Sequence, residues 1–360
     1  MAKGTIHPRE DLWSQDAATG RRIRQVTSHR SIHHHPFFFV PPYDDAMHWL
    51  IFVSHRTGKP QLFAEERSSG SLIQLTDRED FAEWSFHPSH NGRFVVFVAG
   101  TKAVRLDLEN LREHVLGDFG QVEMREKGMV GAAMGTTTVS RDDKWWAVPV
   151  KTGKVSRFFV LHTETGTPNL ILERDSIGHP QFCPDDPGLI FYAGPLTDRL
   201  WLVNRDGTGN RRLWKREHKL QWITHESWLR GRRELAFVDW PHGMRAIRID
   251  TGELRSITRF PAWHAHPDDT GSWFACDTNF PDRGIHRFSA TESAEAELLC
   301  ESKASSVGAH WAGPFPYNDG PREVYAPQHT HPHPRPSPDG SRVLYTSDAS
   351  GFAQLYECML

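Results

Sequence analysis

The stretch SPDGSRVLYTSD at residues 337–348 decides the fold of this chain. An Asp-Gly pair beside an apolar run rich in β-branched and aromatic residues is typical of a tight turn that leads into a strand. A second run of the same kind, AQLY at residues 353–356, follows after a short polar gap. The stretch therefore predicts two short antiparallel strands connected by turns.

The same pattern of turn and short strands occurs along the whole chain, with altered turn residues in most copies. The copies span residues 31–77, 81–118, 130–175, 177–216, 221–259, 262–300 and 330–360. A period of roughly 40–50 residues with four short strands in each copy is typical of a β-propeller. We therefore expect an all-β protein in which each copy forms one blade.

The last copy is one strand short, and the N-terminus supplies a match for the missing strand. The segment ATGRRIRQVT at residues 18–27 resembles the final strand of the first copy, GSLIQLT at residues 70–76. An N-terminal strand that completes the last blade would close the ring and remove exposed sheet edges. We predict a single seven-bladed β-propeller domain over residues 1–360, closed in this way.

Composition excludes several classes of protein. A formal net charge of −3 over 360 residues gives no basic field for nucleic acid. No apolar run approaches the ~20 residues of a membrane span, and the N-terminus lacks the apolar core of a signal peptide. The cysteines are scattered in the sequence, as expected of reduced thiols: Cys183, Cys276, Cys300 and Cys358. We expect a cytoplasmic protein that binds neither nucleic acid nor membrane; the oligomeric state stays open.

Histidines recur at one position of the repeat. His333 lies four residues before the turn of the last copy, His264 and His179 have the same offset in their copies, and His225 falls within about a residue of it. This position is the start of the innermost strand, and the starts of the inner strands surround one mouth of a propeller channel. We therefore expect these side chains to converge, with the run 33–35 reaching the same mouth.

A metal site is the chemistry that this convergence favours. Gln328, His331, His333 and His264 offer three imidazole nitrogens and one amide oxygen. This donor set suits Mn, Ni, Zn or Fe(II) better than Ca or Mg. Because no cysteine is nearby in the pattern, an open site with positions left for a substrate is favoured over a closed structural zinc site.

These motifs resemble those of the oligogalacturonate lyases, which are cytoplasmic seven-bladed propellers that depolymerise short pectin fragments. The matching segments are QHTHPH at residues 328–333, HESW at 225–228 and DRLWLV at 198–203. The resemblance implies that Gln328, His331, His333 and His264 bind manganese. It also implies that His225 is the Brønsted base and Arg199 the catalytic arginine.

The implied reaction is β-elimination at a uronate. A metal on the carboxylate would stabilise the enediolate, and a histidine with a pKa near the working pH is an efficient base for the C5 proton. Arg199 could pair with the carboxylate. His34, His35 and His179 are the expected contacts of a uronate oligosaccharide, although the run at 33–35 could instead orient ligands.

Three other functions compete with this interpretation. A propeller lyase acting on a different uronate would keep the same residues. A hydrolase would need a pair of carboxylates at the mouth, and no aligned pair occurs at the inner-strand starts. A non-catalytic Tol-type binding propeller would have no use for histidines at matching blade positions.

Overall fold

The computed structural model describes residues 2–120, 135–219, 221–278, 281–305 and 330–360, which form seven antiparallel sheets. The predicted ligand Gln328, its neighbour His329 and most of the segment 303–328 lie outside these ranges. Each sheet corresponds to one predicted copy of the repeat. The predicted fold class, an all-β seven-bladed propeller, is confirmed.

The strands follow the order of the repeats. Three N-terminal strands come first: β1 (Ile6–His7), β2 (Leu12–Gln15) and β3 (Arg22–Gln25). Blades one and two contain β4 (His33–His34), β5 (Trp49–Ser54), β6 (Gln61–Glu66), β7 (Leu72–Gln74), β8 (His87–Pro88), β9 (Phe94–Ala99), β10 (Lys102–Asp107) and β11 (Glu113–Asp118). Blade three contains β12 (Thr138–Val139), β13 (Trp145–Thr152), β14 (Val155–His162) and β15 (Asn169–Arg174).

Blades four to seven continue the series. Blade four contains β16 (Gly178–Cys183), β17 (Asp186–Ala193), β18 (Leu200–Asn204) and β19 (Arg211–Trp214). Blade five contains β20 (Trp222–Leu229), β21 (Glu234–Trp240), β22 (Gly243–Arg248) and β23 (Leu254–Thr258). Blade six contains β24 (Ala262–Pro267), β25 (Trp273–Thr278), β26 (Ile285–Ser289) and β27 (Glu297–Cys300), and blade seven β28 (Arg335–Pro336), β29 (Arg342–Ser347) and β30 (Gln354–Met359).

The blades pack face to face, which explains the apolar runs in the sequence. Strand β9, FVVFVA, is buried along its entire length, whereas the outer strand β15 is largely exposed or half-buried. A strand covered on both faces needs apolar residues at every position instead of alternate ones. Seven apolar clusters lie between neighbouring blades, and one of them joins Phe52 of blade one to Leu344 of blade seven.

The turn before the second strand of a blade has a consistent geometry. In blade seven the Gly340 amide donates to the Ser337 carbonyl at 2.9 Å, and Gly340 has φ 68°. In blade three Asp143 occupies the same position with φ 60°. Aspartate tolerates this left-handed conformation better than most non-glycine residues. The altered turns therefore keep the geometry of the Asp-Gly turn.

The N-terminus closes the ring as predicted. Strand β3 pairs with β30, and β2 adds a fifth strand to blade seven. The buried Arg24 of β3 lies 3.1 Å from Glu357 of blade seven and also pairs with Glu65 of blade one. Arg67 lies 2.8 Å from Glu357. These ion pairs connect the first and last blades across the seam where the ring closes.

All of the cysteines are buried, and each is a free thiol. Within the described ranges we find no helix with the length and apolarity needed to cross a membrane.

The closing seam provides a test of stability. Replacing Arg24 by methionine should lower the free energy of unfolding by about 3 kcal/mol, because Glu65 and Glu357 would remain buried with less positive charge beside them. Urea denaturation measures this change. The matched control is Arg157→Met, which removes an exposed pair with Glu173 and should change stability by less than about 1 kcal/mol. If the two substitutions lower the free energy of unfolding equally, the ion pairs at the closing seam contribute no more to stability than an exposed ion pair does.

Candidate metal centre and active site

Irregularities in three successive inner strands turn side chains toward the channel. In β16, β20 and β24 two residues lie opposite one residue of the next strand, at 179–180, 225–226 and 263–264 respectively. Such β-bulges re-aim side chains and are frequent beside active sites. His179, His225 and His333 have positive φ angles of 46°, 49° and 46°. Non-glycine residues in this region carry strain and occur preferentially at functional sites.

The histidine triad of His264, His331 and His333 is the best candidate for a metal centre. One potential ligand atom from each residue lies within 4.8 Å of the others, and all three side chains are buried. Nε2 of His264 and of His333 is buried without a hydrogen-bond partner among the described residues. Buried polar atoms are normally paired. The triad therefore fits a cation, which would supply the missing partner.

Asp277 orients two members of the triad, His264 and His333. Its Oδ2 lies 2.9 Å from Nδ1 of His264, and its two oxygens accept the backbone amides of His264 at 2.7 Å and His333 at 3.2 Å. A carboxylate on Nδ1 leaves Nε2 of His264 as the available lone pair, which is the usual arrangement behind a metal-binding histidine. Burial and the neighbouring imidazoles hold the pKa of His333 well below its usual range, so its ring is neutral and able to bind a cation.

His225 lies directly beside the triad. Its ring centroid is 4.4 Å from that of His264 and 4.5 Å from that of Trp263. His225 Nδ1 donates to the Trp263 carbonyl at 2.7 Å, which leaves the lone pair of the neutral ring on Nε2. Burial, His264, His179 and Arg199 hold the pKa of His225 well below its usual range. The neutral form that a base requires is therefore the resting form, although the pKa lies lower than the value near the working pH that the sequence suggested, because the ring is buried.

The buried carboxylate of Glu226 holds Arg199 close to the histidines of the site. Nε of Arg199 donates to Oε1 of Glu226 at 2.7 Å, and Nδ1 of His179 lies 3.0 Å from Oε2 of Glu226. Burial alone would raise the pKa of Glu226, but Arg199 and His179 lower it to about 2. Asp198, the neighbouring carboxylate, pairs instead with Arg212 at 3.4 Å. Glu226 therefore positions Arg199 and His179 next to His225.

Three consecutive phenylalanines form an apolar floor under these histidines. Phe37 lies 4.9 Å from His333, and Phe38 lies 5.4 Å from His225, measured between ring centroids. The buried Arg335 donates to the carbonyls of Phe38 and Phe39 at 3.3 and 3.0 Å. The floor makes the inner side of the site apolar, since all three rings are buried. Low local polarity strengthens electrostatic interactions there.

The run at 33–35 divides into different environments. His33 donates from Nδ1 to the Ser31 carbonyl at 2.9 Å and lies 3.2 Å from Arg56 through Nε2. His34 faces Glu83, with Nε2 and Oε1 2.7 Å apart. His35 is buried beneath the triad, where its Nε2 donates to the Pro332 carbonyl at 3.2 Å. His35 therefore supports the segment that carries His331 and His333.

The structure thus brings most of the sequence-predicted site residues together. His179, His225, His264, His331, His333 and Arg199 meet at one mouth, with His34 and His35 beside them. Gln328 lies outside the described residues, so its proposed role as a ligand remains a prediction. Sequence reasoning missed Asp277, Glu83 and the phenylalanine floor. The run FFF at residues 37–39, directly after the histidines, was the one available signal.

The fold and the site together define a class: a seven-bladed propeller with a buried histidine triad that fits a cation and an adjacent neutral histidine. No family model matches the chain. The curated relatives that match include the oligogalacturonide lyase of Pectobacterium atrosepticum, which is 25% identical over 99% of this chain and 97% of its own. The oligogalacturonate lyase of Dickeya dadantii is 24% identical with the same coverage.

Solved structures give the same result for the fold. One described as an oligogalacturonate lyase in complex with manganese has a TM-score of 0.83 and 23% identity, covering 100% of this chain and 98% of that chain. The oligogalacturonate lyase of Vibrio parahaemolyticus has a TM-score of 0.80 and 21% identity, covering 99% and 98%. The resemblance to oligogalacturonate lyases that the motifs indicated is confirmed over almost the entire chain.

Asp277 offers a test of the metal centre. Asp277→Asn should weaken Mn²⁺ binding by about 10–100-fold, because the amide no longer holds Nδ1 of His264 through a charged hydrogen bond. Isothermal titration of the full chain with MnCl₂ measures the affinity. Asp250→Asn, which affects an exposed pair with Arg233, is the matched control. Unchanged affinity in the Asp277 variant would contradict the role assigned to this carboxylate.

Proposed function

We propose that this protein is a metal-dependent lyase that cleaves short oligogalacturonides by β-elimination. The observation that carries the proposal is the position of a neutral histidine, His225, against the histidine triad. Its Nδ1 is engaged by the Trp263 carbonyl, and its ring lies 4.4 Å from His264. A proton acceptor beside a cation site is the arrangement required to remove a weakly acidic proton next to a carboxylate. The similarity to lyases over the whole chain supports the same activity.

His264, His331 and His333 would hold the cation, with Gln328 as a proposed fourth ligand. Manganese is the cation we propose, since a solved structure of similar fold is described as a manganese complex. When bound, such a cation supplies Lewis-acid stabilisation of negative charge on a uronate carboxylate. Two imidazole nitrogens of the triad have no other partner among the described residues, which favours this assignment.

His225 would act as the base. Its Nε2 accepts the proton from C5, the electrons of that C–H bond form the C4–C5 double bond, and the C4–oxygen bond breaks. The departing oxygen leaves with the bonding pair and takes up a proton. The products are a shortened chain and a fragment with a 4,5-unsaturated uronate at its new end.

Arg199 would hold the uronate carboxylate or the charge that develops on it. Glu226 binds its Nε, and its Nη2 lies 3.0 Å from Nδ1 of His179, which leaves Nη1 for the substrate. His179 and His34 are proposed as side walls of the binding site, with His35 as support for the triad. We also propose a cytoplasmic location, which the free cysteines support.

A direct assay tests the proposal. The protein incubated with digalacturonate or trigalacturonate and Mn²⁺ should generate the ultraviolet absorbance of a 4,5-unsaturated uronate. Parallel reactions with ulvan-type and glucuronan-type oligomers distinguish the uronate, since the same residues could serve either substrate. An absorbance that stays flat with all these oligomers, with metal present, would exclude a lyase.

Variants separate the base from the metal centre. His225→Ala should lower kcat by about 10²–10⁴-fold while Mn²⁺ affinity stays unchanged, because the lost group only accepts a proton. His333→Ala should lose both turnover and Mn²⁺ binding. Stopped assays and metal titrations of the same preparations, with thermal denaturation to check folding, give both quantities. Full activity in the His225 variant would show that the base is another residue.

A further inference from the structure

A second group of potential ligands lies outside the triad. His34 of β4, His55 after β5 and Glu83 between β7 and β8 each offer one ligand atom, and the atoms lie within 4.8 Å of one another. Oε1 of Glu83 is 2.7 Å from Nε2 of His34 and 2.7 Å from Nε2 of His55. Two imidazoles and one carboxylate converge on a single point at the mouth of the channel.

The hydrogen bond at Nδ1 of His34 determines what its Nε2 can offer to Glu83. Nδ1 of His34 lies 3.0 Å from the His35 carbonyl, which can only accept a hydrogen bond, so Nδ1 carries a proton. In a ring that carries this proton alone, Nε2 presents a lone pair to the Glu83 carboxylate, which is also an acceptor when ionised. Two acceptors at 2.7 Å need either an extra proton or a cation between them.

The surroundings of Glu83 and His34 match those of metal ligands. The Glu83 side chain is only partly exposed, and its Oε1 lies 2.7 Å from Nε2 of His34. A backbone carbonyl on Nδ1 is also the usual support of a metal-binding histidine.

Access to the cluster is open on one side. The His34 side chain is buried, whereas the side chains of His55 and Glu83 are each 25% exposed. The His34 ring stacks on Trp84 with centroids 4.2 Å apart, and the Trp84 ring lies 6.4 Å from that of His333. The cluster and the triad therefore flank Trp84 at the same end of the channel.

We propose that His34, His55 and Glu83 bind a second divalent cation, distinct from the one held by the triad. A site with two imidazoles and one carboxylate suits Mn, Fe(II) or Zn better than Ca or Mg. Metal–ligand distances of about 2.1 Å place neighbouring ligand atoms about 3 Å apart, so the two 2.7 Å contacts need to open only slightly. The exposed side of His55 and Glu83 leaves positions for solvent or substrate oxygens.

The function of this cation rests on the proposed function of the protein. A uronate oligomer carries a carboxylate on every sugar, so a substrate bound at the triad presents further carboxylates nearby. A cation beside Trp84 would bind the carboxylate of a sugar that is not cleaved. Loss of this cation should then raise KM for trigalacturonate by about tenfold with little change in kcat, as expected for binding that is uniform along the reaction.

Counting bound ions tests the site independently of catalysis. The metal-free full chain is titrated with MnCl₂, and the paramagnetic resonance signal of free Mn²⁺ reports the bound fraction. We expect about two ions per chain in the wild type, and one in either Glu83→Gln or His264→Ala. Glu79→Gln, a change at a side chain that is 87% exposed in the same segment, is the matched control and should retain both ions.

The possible outcomes test the second cation site separately from the proposed lyase activity. A single ion in the wild type that Glu83→Gln leaves in place would overturn the second site and show an imidazolium–carboxylate pair instead. If Glu83→Gln does not fold, His55→Ala replaces it, since that side chain is partly exposed. An ion lost on Glu83→Gln in a protein without lyase activity would support the second site while contradicting the proposed function.

Discussion

Closure of the ring between the first and last blades is the constraint on which the rest of this structure depends. Strand β3 pairs with β30, and Arg24 joins Glu357 of blade seven to Glu65 of blade one. The site requires this closure, because its residues come from several blades. His35 of blade one supports Pro332 of blade seven, and His264 of blade six lies beside His333 of blade seven. An open ring would separate these contacts.

The closed ring holds its functional residues in unfavourable local conformations. Bulges in three inner strands and left-handed histidines cost backbone energy that the surrounding blades compensate. The phenylalanine floor makes the inner side of the mouth apolar. Burial and the neighbouring histidines lower the pKa of His225 and of His333, so both rings are neutral. Neutral imidazoles are ready both to bind a cation and to accept a proton.

The charge balance at the mouth explains why a cation matters there. Arg199 is paired with Glu226, and the imidazoles beside it are neutral or paired with Asp277 and Glu83. The positive charge of these described residues is therefore partly balanced within the protein. Cations at the two proposed sites, on either side of Trp84, would add positive charge for an anionic ligand.

The repeats were sufficient to predict the all-β propeller, its N-terminal closure and the histidines at the inner-strand starts, because strand period, turn chemistry and a constant offset are local patterns. Roles that depend on contacts between distant segments were decided by the tertiary structure alone. Asp277 approaches His333 from 56 residues away, Glu226 holds Arg199 from 27, and Glu83 meets His34 from 49. A single carboxylate carries no periodic pattern, and its partner is chosen by the packing of blades and by the bulges that turn the histidines inward.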